Sequence, residues 1–477
     1  MSSSLEQLLS LRDDPGRYSH RPDDLLPVQI EAANERLEMQ IGRIPLLSNR
    51  VESAGRETIK EPEDLVPLLF AHNTYKSYAE SWLLEGQWDR MARWLSTVST
   101  YEFDTAHSFE GVAAFDDWIE RLEDARRFVA CSSGTTGKPA MLGSTENDIN
   151  FGAQCNVSAF SWSTGIGPNK DRKFFGLGPP VKVTRNERIR KALIAAFGSE
   201  TAEPYQLPVP PISAGSVMGM VMLRRRIADG TAQPSEVAEF ERASAERQAV
   251  VESAQADAVE ALIKAREEPL LLSGFLPHLY PLTQGVREQG YSGDDFDSSN
   301  ALFTAGGLKG VTLPQGYREF ILETFGVSES RLCHFYSMQE VNTCFPRCTA
   351  HRYHVAPWVL ALPLDDPGER LLEANEGAIE ARAAFLDLSL EGRWGGVISG
   401  DRVNIDFRAC QCGNEGPHIG LDIVRYSDLE GGDKITCAGT IDAYVRGTAS
   451  ATPSCQHPFS SGVAWSTSRP CATPPVT

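Results

Sequence analysis

Phe128-Val129-Ala130-Cys131-Ser132-Ser133-Gly134-Thr135-Thr136-Gly137-Lys138-Pro139 decides how the rest of the chain is read. Its apolar opening, Phe128 to Cys131, reads as a short buried strand. Small, hydroxylated and glycine residues follow, then Lys138 and a proline that stops further pairing. Glycine lets a backbone turn through positive φ and come close to a ligand. Successive N–H groups and the hydroxyls of Ser132, Ser133, Thr135 and Thr136 can surround phosphate oxygens, with Lys138 as a mobile positive charge. The stretch is not a Walker A loop, which needs glycine at Ser132 and Ser or Thr at Pro139. The plainer alternative is an ordinary Gly/Ser/Thr surface loop.

At 477 residues the chain is long enough for one large domain with subdomains, or for two domains. A hydrophobic content of 41% and a mean hydropathy of -0.27 describe a soluble globular protein. The net charge of -19 argues against nucleic acid and anionic membranes as partners. No basic, apolar leader follows Met1, and no run approaches the roughly 18 apolar residues of a membrane span. The expectation is a cytoplasmic protein whose ten cysteines are reduced thiols or, in part, metal ligands.

Residues 1–125 read as mainly helical, from apolar spacing over Leu5 to Leu11, Pro22 to Leu46 and Asp64 to Leu95. Phe70-Ala71-His72-Asn73-Thr74-Tyr75-Lys76 interrupts that pattern; His72 there is more readily structural than functional. From residue 126 to about 400 short apolar runs alternate with helical patterns, which argues for parallel sheets covered by helices. Phe174 to Gly176, Leu270 to Gly274 and Ala301 to Thr304 are strands in this reading. Pro234 to Glu268 reads as one long or two shorter exposed helices, a solvated face before a partner-binding coiled coil.

Three more stretches sit at strand ends. Ala305-Gly306-Gly307-Leu308-Lys309-Gly310 offers bare backbone against which a flat ring can lie. Cys333-His334-Phe335-Tyr336-Ser337-Met338-Gln339-Glu340 ends in polar groups, and Gly395-Gly396-Val397-Ile398-Ser399-Gly400-Asp401 ends in a carboxylate with two acceptor oxygens. By itself a Gly-Asp pair more often marks a turn.

In this order the opening stretch, Cys333 to Glu340 and Gly395 to Asp401 resemble the phosphate loop, the aromatic-x-x-Thr-Glu motif and the Ser/Thr-Gly-Asp motif of adenylate-forming enzymes. The resemblance covers most of residues 125–447. It implies an α/β fold, an adenylate-forming core of parallel and mixed sheets covered by helices, with the C-terminal lid domain missing or truncated. Segments 1–125 and 126–431 would be the helical start and the body of that core, 432–447 a hinge and 448–477 an irregular or disordered tail. It also implies ATP and Mg²⁺ as cofactors. Ser132, Ser133, Gly134, Thr135, Thr136, Gly137 and Lys138 would hold the β- and γ-phosphates, Tyr336 with Gly306 and Gly307 the adenine, and Asp401 the ribose. Glu340 would hold Mg²⁺. Lys138, Glu340 and Gln339 would be the catalytic groups, though Gln339 stands where threonine is usual, so only its amide is left for the α-phosphate side. Ala140 stands where many members carry a second lysine. Within the superfamily the chain looks most like the phenylacetate-CoA ligase branch and the acyl-protein synthetases of bioluminescence, with their phenazine-pathway relatives.

Cys344, Cys348, His351, His354, Cys410 and Cys412 are a dense set of soft ligands. Zinc takes four N or S donors as a tetrahedron. Some phenylacetate-CoA ligase relatives resemble this arrangement, which would make Cys348, His354, Cys410 and Cys412 a structural Zn²⁺ site. The alternatives are ordinary buried thiols and histidines, or one cysteine that accepts an acyl group as a thioester. Further on, Asp433 or Asp442 could be the family's hinge residue. Either phasing leaves fewer than about fifty residues, too few for the usual lid.

The function expected is ATP-dependent activation of a carboxylic acid to an acyl-adenylate with release of pyrophosphate. An aromatic acid in antibiotic or other secondary metabolism comes first and a fatty acid second. CoA, a carrier protein or a partner reductase would accept the acyl group. An acyl-protein synthetase and a non-catalytic nucleotide-binding subunit are the competing readings.

Overall fold

A computed structural model describes residues 2–103, 109–131, 138–307, 311–374, 377–430 and 432–433. The apolar runs expected to be buried strands form one sheet, in the order Phe345–Pro346, Leu332–Tyr336, Ala301–Ala305, Leu270–Ser273, Lys173–Gly176 and Tyr205–Gln206. All neighbours are parallel except the edge pair Phe345–Pro346. Side chains alternate between its faces with the period of two that a strand imposes. Leu271 packs with Phe160, Phe174 and Phe303 on one face, and Leu270 and Leu272 with Val259, Leu262 and Leu279 on the other. The intervening helices Thr184–Phe197, Leu276–Glu288 and Tyr317–Thr324 supply the crossovers that parallel strands need. Pro234–Lys264 is a single helix, buried only at Ala254, Ala258, Val259, Leu262 and Ile263.

The parallel pattern ends at Tyr336, not near residue 400. A second sheet runs in the order Tyr353–His354, His418–Ile419, Gly396–Asp406, Ile379–Asp387 and Val359–Leu364, every pair antiparallel. No helix separates these strands in sequence, and short connections permit only antiparallel neighbours. Two short strands flank the long one. Phe70–Ala71 lies parallel to Val397 and Ile398, and Val424–Arg425 antiparallel to Asp401 and Arg402.

The N-terminal helices share one core with this second sheet, Leu37, Leu47 and Trp94 packing with Phe385, Val397 and Ile405. From the helix Pro22–Ile41, buried Arg36 donates to Leu388 O at 2.8 Å and Gln40 to Leu390 O at 2.9 Å. That helix stops at Ile41 rather than running to Leu46, because Pro45 opens a new one, Pro45–Ala54. Asp64 to Leu95 is likewise not regular helix. A 3₁₀ segment, Pro62–Leu68, gives way to the strand Phe70–Ala71 and a second 3₁₀ segment, His72–Lys76.

One buried carboxylate ties these layers together. Asp148, in the first turn of the helix Glu146–Thr164, accepts from the backbone N–H groups of Thr145, Glu391 and Gly392 at 2.8, 2.7 and 2.9 Å. Gly392 comes so close that a Cβ there would lie 2.7 Å from Ser144 Cα. Alanine at 148 would leave three N–H groups with no acceptor, so Asp148→Ala should cost about 3 kcal/mol or more. Chemical denaturation reads this, and a loss under about 0.5 kcal/mol, the surface range, would show that Asp148 carries no such load.

Candidate nucleotide and metal sites

The strand Phe128–Cys131 pairs antiparallel with Met141–Ser144, with Cys131 opposite Met141. Pro139 therefore does not end the pairing, which resumes at Met141. Ser132, Ser133, Gly134, Thr135, Thr136 and Gly137 lie outside the described residues. Lys138, expected to be a mobile charge, is moored instead. Its ammonium donates to the Tyr78 carbonyl and lies 4.8 Å from the Tyr78 ring centroid. Tyr78 is itself buried, donates to Pro139 O at 2.9 Å and packs edge-on against Trp94.

Glu340 follows the strand Leu332–Tyr336, and two arginines shape its loop. Buried Arg393 donates to Gly143 O and Ser144 Oγ of the hairpin at 2.9 and 3.0 Å, and to Gln339 O and Glu340 O at 3.1 Å each. Arg185 donates to Gln339 Oε1 at 3.2 Å and to Val341 O at 3.0 Å. The Gln339 side-chain carbonyl oxygen is thus taken by Arg185, which leaves its amide group free to donate elsewhere. Burial pushes the Glu340 carboxyl above the ordinary carboxylate range, and the charges of Arg393 and Lys76 oppose that rise. An acidic group raised this way gains from a cation that replaces its proton.

Tyr336 and Asp401, two motifs sixty-five residues apart, meet. The Tyr336 hydroxyl donates to Asp401 Oδ2 at 2.7 Å. Asp401 is neither a turn residue nor at a strand end; it lies within the strand Gly396–Asp406. Across from it the register jumps. Arg382 faces Arg402, but Ala384 faces Ile398, so Ser399, Gly400 and Asp401 bulge opposite Ala383 alone. Bulges re-aim side chains next to sites, and this one presents Asp401 to Tyr336. Gly306 and Gly307 follow the neighbouring strand Ala301–Ala305, Gly306 with φ of 71°, which glycine tolerates.

Three residues not singled out as site groups stand here as well. His334 lies beside Gly306, its Nε2 3.5 Å from Gly306 O, and its Nδ1 accepts from the Tyr353 hydroxyl at 3.0 Å. Burial lowers its pKa to about 4, so it is neutral. His72 sits 3.6 Å from Asp433, whose other oxygen is 3.0 Å from fully buried Arg382. Burial lowers the His72 pKa, and Asp433 works against that. Nothing local marks His334 or Arg382 for this place, and the polar break after Phe70-Ala71 is the only hint of His72; Asp433 is one of the two hinge candidates. Asp433 is thus fixed to the core, while Asp442, the rest of the hinge-like segment and the tail 448–477 lie outside the described residues.

At the far edge of the second sheet, Cys348, His354, Cys410 and Cys412 place their donor atoms within 4.8 Å of one another. Cys348 Sγ to Cys410 Sγ is 3.9 Å and Cys412 Sγ to His354 Nε2 is 3.3 Å. With Zn–S of about 2.3 Å and Zn–N of about 2.0 Å, tetrahedral edges come to about 3.8 Å and about 3.5 Å, so the set fits the ion. Burial holds His354 neutral, with a pKa near 3. Burial opposes ionisation of Cys412 too, but the Asn414 amide and the neighbouring thiols outweigh it and lower that thiol. Cys344 and His351 are not in the set. Cys344 is buried against Cys155 O, and His351 is exposed, with φ of 55°. Among the other described cysteines, burial pushes Cys131 and Cys344 up to about 12, which makes them poor acyl acceptors.

No protein-family model matches the chain, and no curated protein matches it. Solved structures do. An open conformation of 2-hydroxyisobutyryl-CoA ligase, in complex with 2-HIB-AMP and CoA, matches with a TM-score of 0.53 and 15% identity, over 90% of this chain and 79% of that one. The same ligase in its thioesterification state gives 0.53 and 15%, over 88% and 71%. Its postadenylation state with 2-HIB-AMP gives 0.52 and 14%, over 90% and 72%. The fold is that of the adenylate-forming enzymes. No described helix is long and apolar enough to cross a membrane.

The Cys/His set makes a direct prediction. Protein purified without chelator should carry about one zinc per chain by elemental analysis. Cys410→Ser should lower both zinc content and melting temperature, because metal binding to a folded site is folding energy. Fully folded protein with no zinc would leave the four residues as core thiols and an imidazole.

Proposed function

We propose that the protein activates a carboxylic acid with ATP, giving an acyl-adenylate and pyrophosphate, and then passes the acyl group to CoA. The observation that carries this reading is the meeting of Tyr336 and Asp401, at 2.7 Å, beside the Gly306-Gly307 turn. A buried tyrosine that fixes one carboxylate oxygen leaves the other acceptor positions of Asp401 for a diol, and bare glycine backbone leaves space for a flat base. The 2-hydroxyisobutyryl-CoA ligase that shares the fold is named with an acyl-AMP and with CoA, which supports CoA as acceptor over a carrier protein or partner reductase.

In the reaction the acid's oxygen attacks the α-phosphorus and the bond to pyrophosphate breaks. The chain's own work is positioning and charge neutralisation. The hydroxyls and N–H groups of residues 132–137 would take the β- and γ-phosphates, with Lys138 on the same side. Asp401 would hold the ribose, Tyr336 with Gly306 and Gly307 the base, and the Gln339 amide would face the α-phosphate. Glu340 would hold Mg²⁺, which supplies positive charge to the departing pyrophosphate. An aromatic acid is the first substrate class to test and a fatty acid the second. Cys348, His354, Cys410 and Cys412 would hold a closed structural zinc with no place for a catalytic water.

Pyrophosphate release over a panel of acids tests the reading, and no release with any acid would favour a non-catalytic nucleotide-binding protein. Asp401→Ala should reduce ATP-dependent thermal stabilisation, which follows ligand concentration over Kd. An unchanged thermal shift would remove Asp401 from the nucleotide site. Lys138→Ala should lower kcat/KM by about 10- to 100-fold, the loss of one charge-assisted contact of roughly 1.5–3 kcal/mol. Wild-type pyrophosphate release by that variant would show that Lys138 only moors the hairpin.

A further inference from the structure

The Cys/His set has an outer wall that comes from nearly four hundred residues earlier in the chain. The 3₁₀ turn Arg17–Ser19 lies against the loop that follows Cys410, and its Tyr18 is buried. The Tyr18 carbonyl accepts from the Gly416 N–H at 2.8 Å, and a Cβ at Gly416 would stand 2.8 Å from that same oxygen. Only a residue without a side chain lets the two backbones meet this closely. The Tyr18 ring lies 5.6 Å from the His354 imidazole and 4.5 Å from Trp162, which is itself 5.3 Å from His354. Buried Arg17 secures the turn by donating to Ser158 O, on the helix Glu146–Thr164, at 2.6 Å.

A second contact runs through one side-chain amide. Asn414 donates from Nδ2 to Cys412 Sγ at 3.2 Å, and its Oδ1 accepts from the Ser19 hydroxyl at 3.1 Å. Its backbone carbonyl accepts from the Cys410 N–H at 2.8 Å. A sulfur that is to bind a cation offers lone pairs, so the amide nitrogen faces it and the oxygen is left to Ser19. Asn414 therefore grips the chain at Cys410 and Cys412 and is itself held by the turn that carries Tyr18. Groups that support a metal's ligands from behind fix their direction, and losing one costs about 10- to 100-fold in metal affinity.

We propose that Asn414 is a positioning residue for the metal site, and that metal occupancy and docking of the turn Arg17–Ser19 are thermodynamically linked. The inference rests on the zinc reading of Cys348, His354, Cys410 and Cys412 and gives a role to residues outside that set. An ion that needs Cys410 and Cys412 in place favours the loop shape that receives Tyr18. By reciprocity, docking of Tyr18 favours the loop shape that receives the ion. Metal retention and protection of the turn then rise and fall together.

The test uses the full chain loaded with zinc. Zinc release to the chromophoric chelator 4-(2-pyridylazo)resorcinol is timed for wild type, Asn414→Ala and Gly416→Ala. Asn414→Ala should speed release by about tenfold or more. Gly416→Ala, which changes no donor and pushes the Tyr18 backbone away, should speed it several-fold, and it decides the matter if Asn414→Ala folds poorly. A merely structural role would instead lower the melting temperature of the metal-free protein and leave release unchanged. Hydrogen exchange read by mass spectrometry supplies the second arm. Stripping zinc from wild type should raise exchange in peptides spanning 408–420 and also in those spanning 11–21. Release from the variants within about twofold of wild type, or exchange that rises in 408–420 alone, overturns the proposal while the zinc reading stands. Folded wild-type protein that neither carries nor takes up zinc overturns both.

Discussion

The buried guanidinium of Arg393 is the joint on which the site depends. Taking a cation out of water costs several kcal/mol unless its donors find good acceptors. Here its two terminal nitrogens reach Gly143 O, Ser144 Oγ, Gln339 O and Glu340 O, all within 3.1 Å. Those acceptors belong to two stretches nearly two hundred residues apart, the strand Met141–Ser144 and the loop that bears Glu340. Because those terminal nitrogens find their acceptors only when both are in place, hairpin and loop are set as one piece. Asp148 does the same for the backbone beside it, fastening Glu391 and Gly392 to the start of the helix Glu146–Thr164.

The two sheets meet at the site, and each contributes a different kind of precision. The parallel sheet brings Tyr336 and the Gly306-Gly307 turn to neighbouring carboxyl ends, where open α/β sheets bind ligands. The antiparallel sheet contributes Asp401 through a bulge rather than a loop, so the carboxylate sits on a strand held from both sides. The Cys/His set lies at that sheet's opposite edge, where Tyr353–His354 already pairs with His418–Ile419. An ion there would add a covalent-strength tie to a two-residue ladder.

Much of this was legible in the sequence, and for a physical reason. Buried parallel strands must be nearly continuous apolar runs, so Leu270–Ser273 and Ala301–Ala305 announced themselves. A dense set of six soft ligands likewise marked the region, and the resemblance to phenylacetate-CoA ligase relatives picked from it Cys348, His354, Cys410 and Cys412, which the structure brings together. What stayed hidden depends on contacts between distant segments. A two-residue strand such as Phe70–Ala71 has no period to read, and its place beside Val397 is fixed by tertiary packing. The return of the chain after Pro139, the bulge at Asp401 and the mooring of Lys138 by Tyr78 left no local signature either. His72, which reads as structural in sequence, lies against Gly400 and Asp433 for reasons that no local pattern shows.

The central claim is that this scaffold joins a carboxylate oxygen to the α-phosphorus of ATP. The most direct measurement follows that oxygen. The protein is incubated with ATP, CoA and a substrate acid carrying ¹⁸O in both carboxylate positions, and the nucleotide product is analysed by mass spectrometry. Attack on the α-phosphorus followed by transfer to CoA predicts AMP that carries one ¹⁸O. Unlabelled AMP, or ADP as the product, would contradict the account.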